Sequence, residues 1–296
     1  MQIPFISVVI PTYNSGVYIT ETLLSVFNQT YKNYEVIVSD DGSLDNTEEI
    51  VKTVFSKFPQ KTRFLNNSHA GPGAARNKGI EASNGEWISF LDSDDRWFPQ
   101  KLYKVAEYIF CNTDTNLVCH SEIQKIGKDE RLLRYSDLYD SRQKPFLSLY
   151  KKNALSTSAV TVKKELLMKT SLFDTTLPAA QDYDLWLQLA MVPGIKMGFI
   201  DEPLGFYITR SGNISSNIER RLHCMLKINA KHSMNLKQFS RFPGFESMAY
   251  KGRVYTSAGL ELICMGNFKK GMGFFITGLF KWPFRFDWIY KFVSQK

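Results

Sequence analysis

Four short runs carry residue types and spacings that could do chemistry. The first is Asp92-Ser93-Asp94-Asp95, directly after the apolar run WISFL at 87–91. In extended backbone, residues i and i+2 point the same way, so Asp92 and Asp94 face one point just beyond that run. Two carboxylates this close repel unless a cation lies between them. Hard oxygen donors suit Mg²⁺ or Mn²⁺, which in turn hold diphosphates. The second run is Asp40-Asp41-Gly42-Ser43. A carboxylate there could accept hydrogen bonds from a base N–H or from ribose hydroxyls, and the same residue types also make a plain strand-to-loop turn. The third, Gly71-Pro72-Gly73-Ala74-Ala75-Arg76-Asn77, follows a strand and opens a helix, but it lacks the third glycine of a dinucleotide fingerprint. Arg76 is better read as meeting phosphate or clamping the acidic runs. The fourth, Gln181-Asp182-Tyr183-Asp184, heads an apolar helical patch. An acid in that place is a first-turn or capping residue, or a base if the fold carries it across to the first run.

These runs need elements to position them. ISVVI at 6–10 reads as a buried strand closed by Pro11, and YEVIVS at 34–39 as a second. Apolar residues at helical spacing over 18–28 predict a helix between them. Asn46 or Thr47 can cap another, running to about Phe58 with Glu48 and Glu49 in its first turn. Further strands are expected at 62–65, 87–91 and 117–119, with helices over 73–82 and from Pro99. This β-α-β-α order predicts an α/β fold, a mostly parallel sheet flanked by helices. Such sheets bind ligands beyond the carboxyl ends of their strands. The runs at Pro11-Thr12-Tyr13-Asn14, Asp40-Asp41-Gly42-Ser43 and Asp92-Ser93-Asp94-Asp95 all fall at those ends. Beyond them, the charged stretch 127–144 reads as a surface loop, 158–162 and 195–200 as strands, and 185–191 as a helix. From Arg221 the pattern turns helical.

Composition narrows the class. The 296 residues are 44% hydrophobic and 22% charged, which excludes disorder, collagen and coiled coil as the main theme. A net charge of +8 favours acidic partners without choosing among phosphorylated substrates, nucleic acid and anionic lipid. No nucleic-acid-binding motif is present, and the basic residues are dispersed outside the tail. The four cysteines form no zinc pattern and suggest a reducing compartment. With no signal peptide and no apolar run of about 18 residues, the default placement is cytoplasmic. From Phe268 the composition changes: ten aromatics lie between Phe268 and Phe292, with six basic residues and one acid from Lys269 on. Such a segment suits peripheral contact with the inner face of a membrane through 268–292. Its other readings are a helix packed on the rest of the chain and a homo-oligomer contact.

Taken in order, VVIPTYN at 8–14, VSDDGSLDNT at 38–47, GPGAARNKGI at 71–80, FLDSDDRW at 90–97, FDTTLPAAQDYDLWLQLA at 173–190 and YITRSGNISS at 207–216 resemble the inverting nucleotide-sugar glycosyltransferases of family two. The resemblance covers about 5–216. It implies a GT-A fold, Rossmann-like and nucleotide-sugar-binding, over 1–220: a nucleotide half, 1–120, and an acceptor and catalytic half, 121–220. A helical, aromatic and basic extension would follow over 221–296. It implies that Pro11, Thr12 and Tyr13 line the nucleotide pocket, that Asp41 with Asp40 holds the base edge, and that Arg76 lies near base or phosphates. Asp92, with Ser93 beside it, would touch ribose or metal, and Asp94 would ligate Mn²⁺ or Mg²⁺ on the diphosphate. Asp182 would be the general base, and Arg210 and Ser215 would close over the diphosphate. The implied donor is a nucleotide-sugar, with UDP favoured, and the acceptor a glycan or lipid-linked hydroxyl of a surface polysaccharide. Three positions depart from the usual pattern: Gln181 where an acid is common, His69 where Asn is common, and Arg210 in place of a closing-loop His. Two other classes compete. A nucleotidyltransferase would want a Gly-rich basic loop after the first strand, which Pro11–Ser15 does not provide. A non-catalytic adaptor would be expected to have lost Asp94 or Asp182, and both are present.

Overall fold

In the computed structural model, residues 3–210 and 217–282 are described. The chain forms two compact units, 1–213 and 214–296.

The first unit is built on a sheet of nine strands among the described residues. Strands β1 (Ile6–Thr12), β2 (Tyr34–Asp40), β3 (Thr62–Asn66) and β4 (Trp87–Phe90) come first, then β5 (Arg96–Trp97), β6 (Leu117–Ile126), β7 (Asp129–Leu133), β8 (Val160–Lys163) and β9 (Met197–Thr209). The order is β3-β2-β1-β4-β8-β6-β9-β5, with β7 paired to β6. The block β3-β2-β1-β4 is parallel throughout, as the β-α-β-α reading expects. The other half is mixed: β6–β9 is parallel, whereas β4–β8, β6–β8, β6–β7 and β5–β9 are antiparallel. Parallel strands covered on both faces need continuous apolar runs, and all seven residues of β1 are buried.

Helices α1 (Ile19–Phe27), α2 (Thr47–Phe55), α3 (Pro72–Ala82) and α4 (Lys101–Cys111) follow the early strands. Ile19, Leu23, Val26 and Phe27 of α1 join Val8, Val36 and Leu102 in one core cluster. Helix α2 ends at Phe55, three residues short of the expected stop, and Asn46 makes no side-chain cap. Asp45 instead accepts from the Thr47 N–H and hydroxyl. Helix α3 lies against β1 through Gly79, where a Cβ would come within 2.4 Å of Val9 Cγ1. Farther on come α5 (Pro145–Lys151), α6 (Lys164–Leu167) and α7 (Gln181–Leu189).

The charged stretch 127–144 is not simply a loop. Gly127, at φ +60°, turns β6 back into β7, and a 3-10 turn follows at Ser136–Leu138. The exposed Asp129, Glu130 and Arg131 masked this strand, because its side chains face water. The strand read at 117–119 runs on to Ile126, and that read at 195–200 runs to Thr209, past a break in register near Ser121.

The second unit holds α8 (Ile218–Ser233), α9 (Pro243–Cys264) and α10 (Phe268–Lys281). Asn217 caps α8 by accepting from the Arg220 N–H at 3.0 Å. Ile218 and Leu222 pack with Ala258 and Leu262 of α9.

Candidate active site

The parallel register sets Thr12 opposite Asp40, and the Leu91 N–H donates to the Val9 carbonyl. The polar runs after β1, β2 and β4 therefore leave the sheet at one edge. Asn14 (φ +47°) turns the chain away from β1 and is bound to the β2 loop in both directions: its N–H donates to Ser43 Oγ and its Oδ1 accepts from the Leu44 N–H.

Asp40 and Asp41 are both buried, and both are committed to loop structure. Asp40 accepts the Ser43 N–H at 2.8 Å and the Ser43 hydroxyl at 2.6 Å. Asp41 accepts the N–H groups of Ala70 (2.8 Å) and Gly71 (2.9 Å), and His69 Nδ1 lies 2.9 Å from its Oδ2. The His69 ring stacks on Tyr13 with centroids 4.5 Å apart. His69 thus joins the first-strand loop to the entry of α3. Pro11 and Thr12 are buried beside it, and Thr12 Oγ1 has no partner among the described residues.

The loop after β4 is held from three sides. Arg76, buried on α3, donates from Nη2 to Asp92 Oδ1 at 2.6 Å. Of the two sequence readings of Arg76, the structure shows the clamp on the acidic run. The Arg76 guanidinium carbon also sits 5.3 Å from the centre of the Phe173 ring, and its Nε has no partner among the described residues. Ser93 Oγ meets Ser15 Oγ at 2.9 Å, and Thr22 Oγ1 donates to the carbonyls of Ser93 and Asp95. Asp95, whose role the sequence did not disclose, anchors the loop from beneath. It is fully buried, accepting from Ser158 Oγ at 2.6 Å and from the Ile208 N–H at 2.8 Å. Ser158 Oγ in turn accepts the Asp92 N–H. Asp95 thereby ties the acidic loop to β9, two residues before Arg210.

Burial, and next the negative charge of Asp92, raise the Asp94 carboxyl to about 6, against the pull of Arg210 and Arg76. Asp92 and Asp94 thus act on one another electrostatically, with both arginines in range. A hard divalent cation fits this donor set, with a diphosphate completing its coordination. Among the described residues, no group of three or more His, Cys, Asp or Glu side chains is placed to hold a metal by itself.

Asp182 lies in the first turn of α7. The preceding Ala180 adopts φ +58°, a left-handed conformation unfavourable for a residue with a Cβ. Thr157 Oγ1 donates to Asp182 Oδ2 at 3.1 Å. Burial raises the Asp182 carboxyl above its ordinary range; Arg76 opposes this and Asp92 reinforces it. Asp182 is therefore within electrostatic reach of both members of the Arg76–Asp92 pair. Two contacts bring α7 there. Asn77 of α3 exchanges two hydrogen bonds with the Phe173 backbone, at 2.9 and 3.0 Å. Gly73 of α3 lies against the same segment, with the space of a Cβ there at ordinary contact distance from Phe173 Cβ (3.4 Å) and Gln181 Cγ (3.6 Å). Gln181 is buried and its Nε2 has no partner among the described residues.

Arg210, at the end of β9, places its guanidinium carbon 3.5 Å from the centre of the Tyr18 ring. Its Nη1 has no partner among the described residues. Ser215 lies outside the described residues.

The described edge therefore gathers Asp92, Asp94 and Asp182 with Arg76 and Arg210. It leaves buried donors on Thr12, Gln181 and both arginines without protein partners. Buried polar groups are almost always hydrogen-bonded, so these four atoms have bonding capacity that the described residues do not use.

Known proteins share this framework. A mannosyltransferase from Pyrobaculum calidifontis, solved with GDP-Man and Mn²⁺, superposes with a TM-score of 0.65 at 17% identity, over 93% of this chain and 74% of that one. S. aureus TarS 1–349, solved with UDP-GlcNAc, superposes with a TM-score of 0.63 at 19% identity, over 92% and 90%. Both are likenesses of fold. Among sequence relatives, an uncharacterized glycosyltransferase of Methanocaldococcus jannaschii is 29% identical over 81% of this chain and 83% of its own length. One from Rickettsia bellii is 30% identical over 65% of this chain, which spans only 28% of that relative. The model of the family described as glycosyl transferase family 2 matches residues 7–175, which contain the first-strand loop, Asp40, Asp41, Arg76 and the whole Asp92–Asp95 loop, and on that match the chain belongs to glycosyl transferase family 2.

Proposed function

We propose that this chain transfers a sugar, with inversion, from a nucleotide-sugar to a hydroxyl of a glycan or lipid-linked acceptor in surface-polysaccharide synthesis. The observation that carries the reading is the convergence of three carboxylates and two arginines on one sheet edge, with buried donors left unpartnered. A UDP-sugar is the favoured donor. TarS was solved with UDP-GlcNAc and the Pyrobaculum enzyme with GDP-Man, so both bases belong in the test.

Pro11, Thr12 and Tyr13 line the nucleotide pocket. Asp41 keeps lone-pair capacity on Oδ1 for a base N–H, and Asp40 holds the turn that presents it. Asp92, fixed by Arg76, faces the ribose and the cation; Ser93 sits beside it, and Asp94 ligates the cation. Mn²⁺ or Mg²⁺, when bound, neutralises charge developing on the leaving diphosphate. Arg210, with Ser215 beyond it, closes on the phosphates, and its guanidinium offers more donors than an imidazole. Asp182, raised by burial, accepts the proton of the acceptor hydroxyl as that oxygen attacks the anomeric carbon from the face opposite the diphosphate. In this reading unit 1–213 performs the chemistry, at the inner face of a membrane that holds the acceptor.

The test is a panel of UDP-, GDP- and dTDP-sugars with Mn²⁺ or with EDTA, following melting temperature and nucleotide release. Metal-dependent stabilisation by one nucleotide, lost in Asp94→Ala, is the expected result. Absence of any shift across the panel would remove the donor site and with it the proposal.

A further inference from the structure

The hairpin of α9 and α10 is closed through small residues. Its seam is glycine: Gly252 and Gly259 on α9 face Gly278 and Gly271 on α10. A Cβ at Gly259 would lie 2.5 Å from the Phe275 backbone nitrogen, and one at Gly271 would lie 2.7 Å from the Gly259 carbonyl. The two backbones touch, as in small-residue helix packing within membranes. Phe274 packs against Tyr255 and the α8–α9 cluster, and Phe275 and Leu279 are half-buried, but four other large apolar side chains turn outward. Phe268, Met272, Ile276 and Phe280 recur every fourth residue on α10 and are 68%, 51%, 45% and 83% exposed. A helix of a water-soluble bundle would bury such a stripe. Met265, in the turn before α10, adds to it at 72% exposure.

Charge says what covers the stripe. Helix α10 carries Lys269, Lys270 and Lys281 and no acid. Beside the stripe, Lys269 and Lys270 line an open concavity of about 570 Å³ with Asn267, Gly273 and Thr277. Lys270 also pairs with Glu219 of α8. A second copy set on this face about a two-fold axis would oppose lysine to lysine. An anionic bilayer would instead receive the apolar stripe at the acyl boundary and the lysines at its headgroups. The sequence after Trp282 continues in kind, with Phe284, Arg285, Phe286, Trp288 and Lys291. No helix among the described residues is long and apolar enough to cross a membrane, so α10 would lie on the surface rather than span it.

We propose that the Phe268–Met272–Ile276–Phe280 stripe of α10 is a docking surface for an anionic lipid bilayer, with Lys269 and its neighbouring concavity taking lipid phosphate. This deepens the membrane placement proposed above, and it is tested independently of the transfer chemistry.

The full-length chain is floated with phosphatidylcholine vesicles and with vesicles containing about one third phosphatidylglycerol. Preference for the anionic vesicles by roughly thirtyfold is expected, the figure for two lysines near the surface. Met272→Glu/Phe280→Glu should abolish binding to both vesicle types. Lys269→Glu should remove most of the preference while retaining the weaker apolar binding. Each variant is checked for an unchanged melt and for nucleotide-dependent stabilisation, which reads the donor site separately. Equal binding to both compositions overturns the proposal, as does binding that survives Met272→Glu/Phe280→Glu. Absence of vesicle binding, accompanied by self-association in sedimentation that the same double variant abolishes, also overturns it and assigns the stripe to a second copy.

Discussion

At the scale of single residues, the site is a balance of buried charge. Asp94 ionises near pH 6, above its ordinary 3.8, because burial and Asp92 disfavour its anion. An acid raised in this way weakens the fold as pH rises through its folded value, and a bound cation offsets that cost. Stabilisation by Mn²⁺ alone should therefore be greater at pH 7.5 than at pH 5, and Asp94→Asn should flatten the difference; melting curves at both pH values decide it. Asp182→Asn should lower turnover by about 10³-fold while leaving nucleotide binding intact, the range expected for loss of a general base. Thr157 donates to Asp182 and favours its anion. Thr157→Val should therefore move the acidic limb of the pH–rate profile to higher pH, and a limb that stays put would separate Thr157 from the base. The spacing of Asp92 and Asp94 marked them as neighbours, but the extended backbone expected there is instead a turn closed by the Asp95 N–H on the Asp92 carbonyl, because the chain must double back from β4. The role of Asp95 was not legible, because its partners Ser158 and Ile208 lie 63 and 113 positions away.

At the scale of elements, close approach and a buried polar layer hold the site in place. Helix α3 carries Arg76, and it reaches β1 only because residue 79 lacks a side chain. Gly79→Ala should destabilise the fold by about 2 kcal/mol, the usual size for overpacking, read as a lower melting temperature. Behind the acidic loop, Lys101 is fully buried with its ammonium 3.6 Å from the Trp97 ring centre and in reach of Ser89 and Thr161. Glu122 on β6 accepts from the Tyr135 hydroxyl at 2.7 Å, and burial pushes its carboxyl up to about 7. Folding therefore favours protonated Glu122, and its contribution falls as pH rises from about 4.5 to about 7. Relative to the natural chain, Glu122→Gln should gain stability across that window, by about 3 kcal/mol at most, and stay level above it. Denaturant unfolding at pH 5 and pH 8 measures the difference. The sequence predicted the helices and strands of the parallel block to within a few residues. It concealed β7, because a strand with exposed polar side chains lacks the apolar signal on which strand prediction depends.

At the scale of the whole molecule, a net charge of +8 was the first hint of acidic partners. If lysines on α10 meet anionic lipid, vesicle binding should weaken steeply between low salt and physiological ionic strength, as the screening length falls to about 8 Å. Salt-independent binding would leave only the apolar stripe acting. What the sequence determined by itself was local: the alternation of strand and helix, the polar runs at strand ends, the paired carboxylates and the changed composition of the tail. These follow from side-chain periodicity and from residues close along the chain. Tertiary structure decided what depends on distant partners. It chose the clamp of Arg76 on Asp92, brought Asp182 within reach of both, bound Asp95 to β9 and turned the second half of the sheet mixed. It also put Gly271 and Gly278 of α10 in the seam with α9 and left Phe268, Met272, Ile276 and Phe280 exposed. That arrangement depends on how closely two backbones meet, and composition along one strand of sequence does not record that distance.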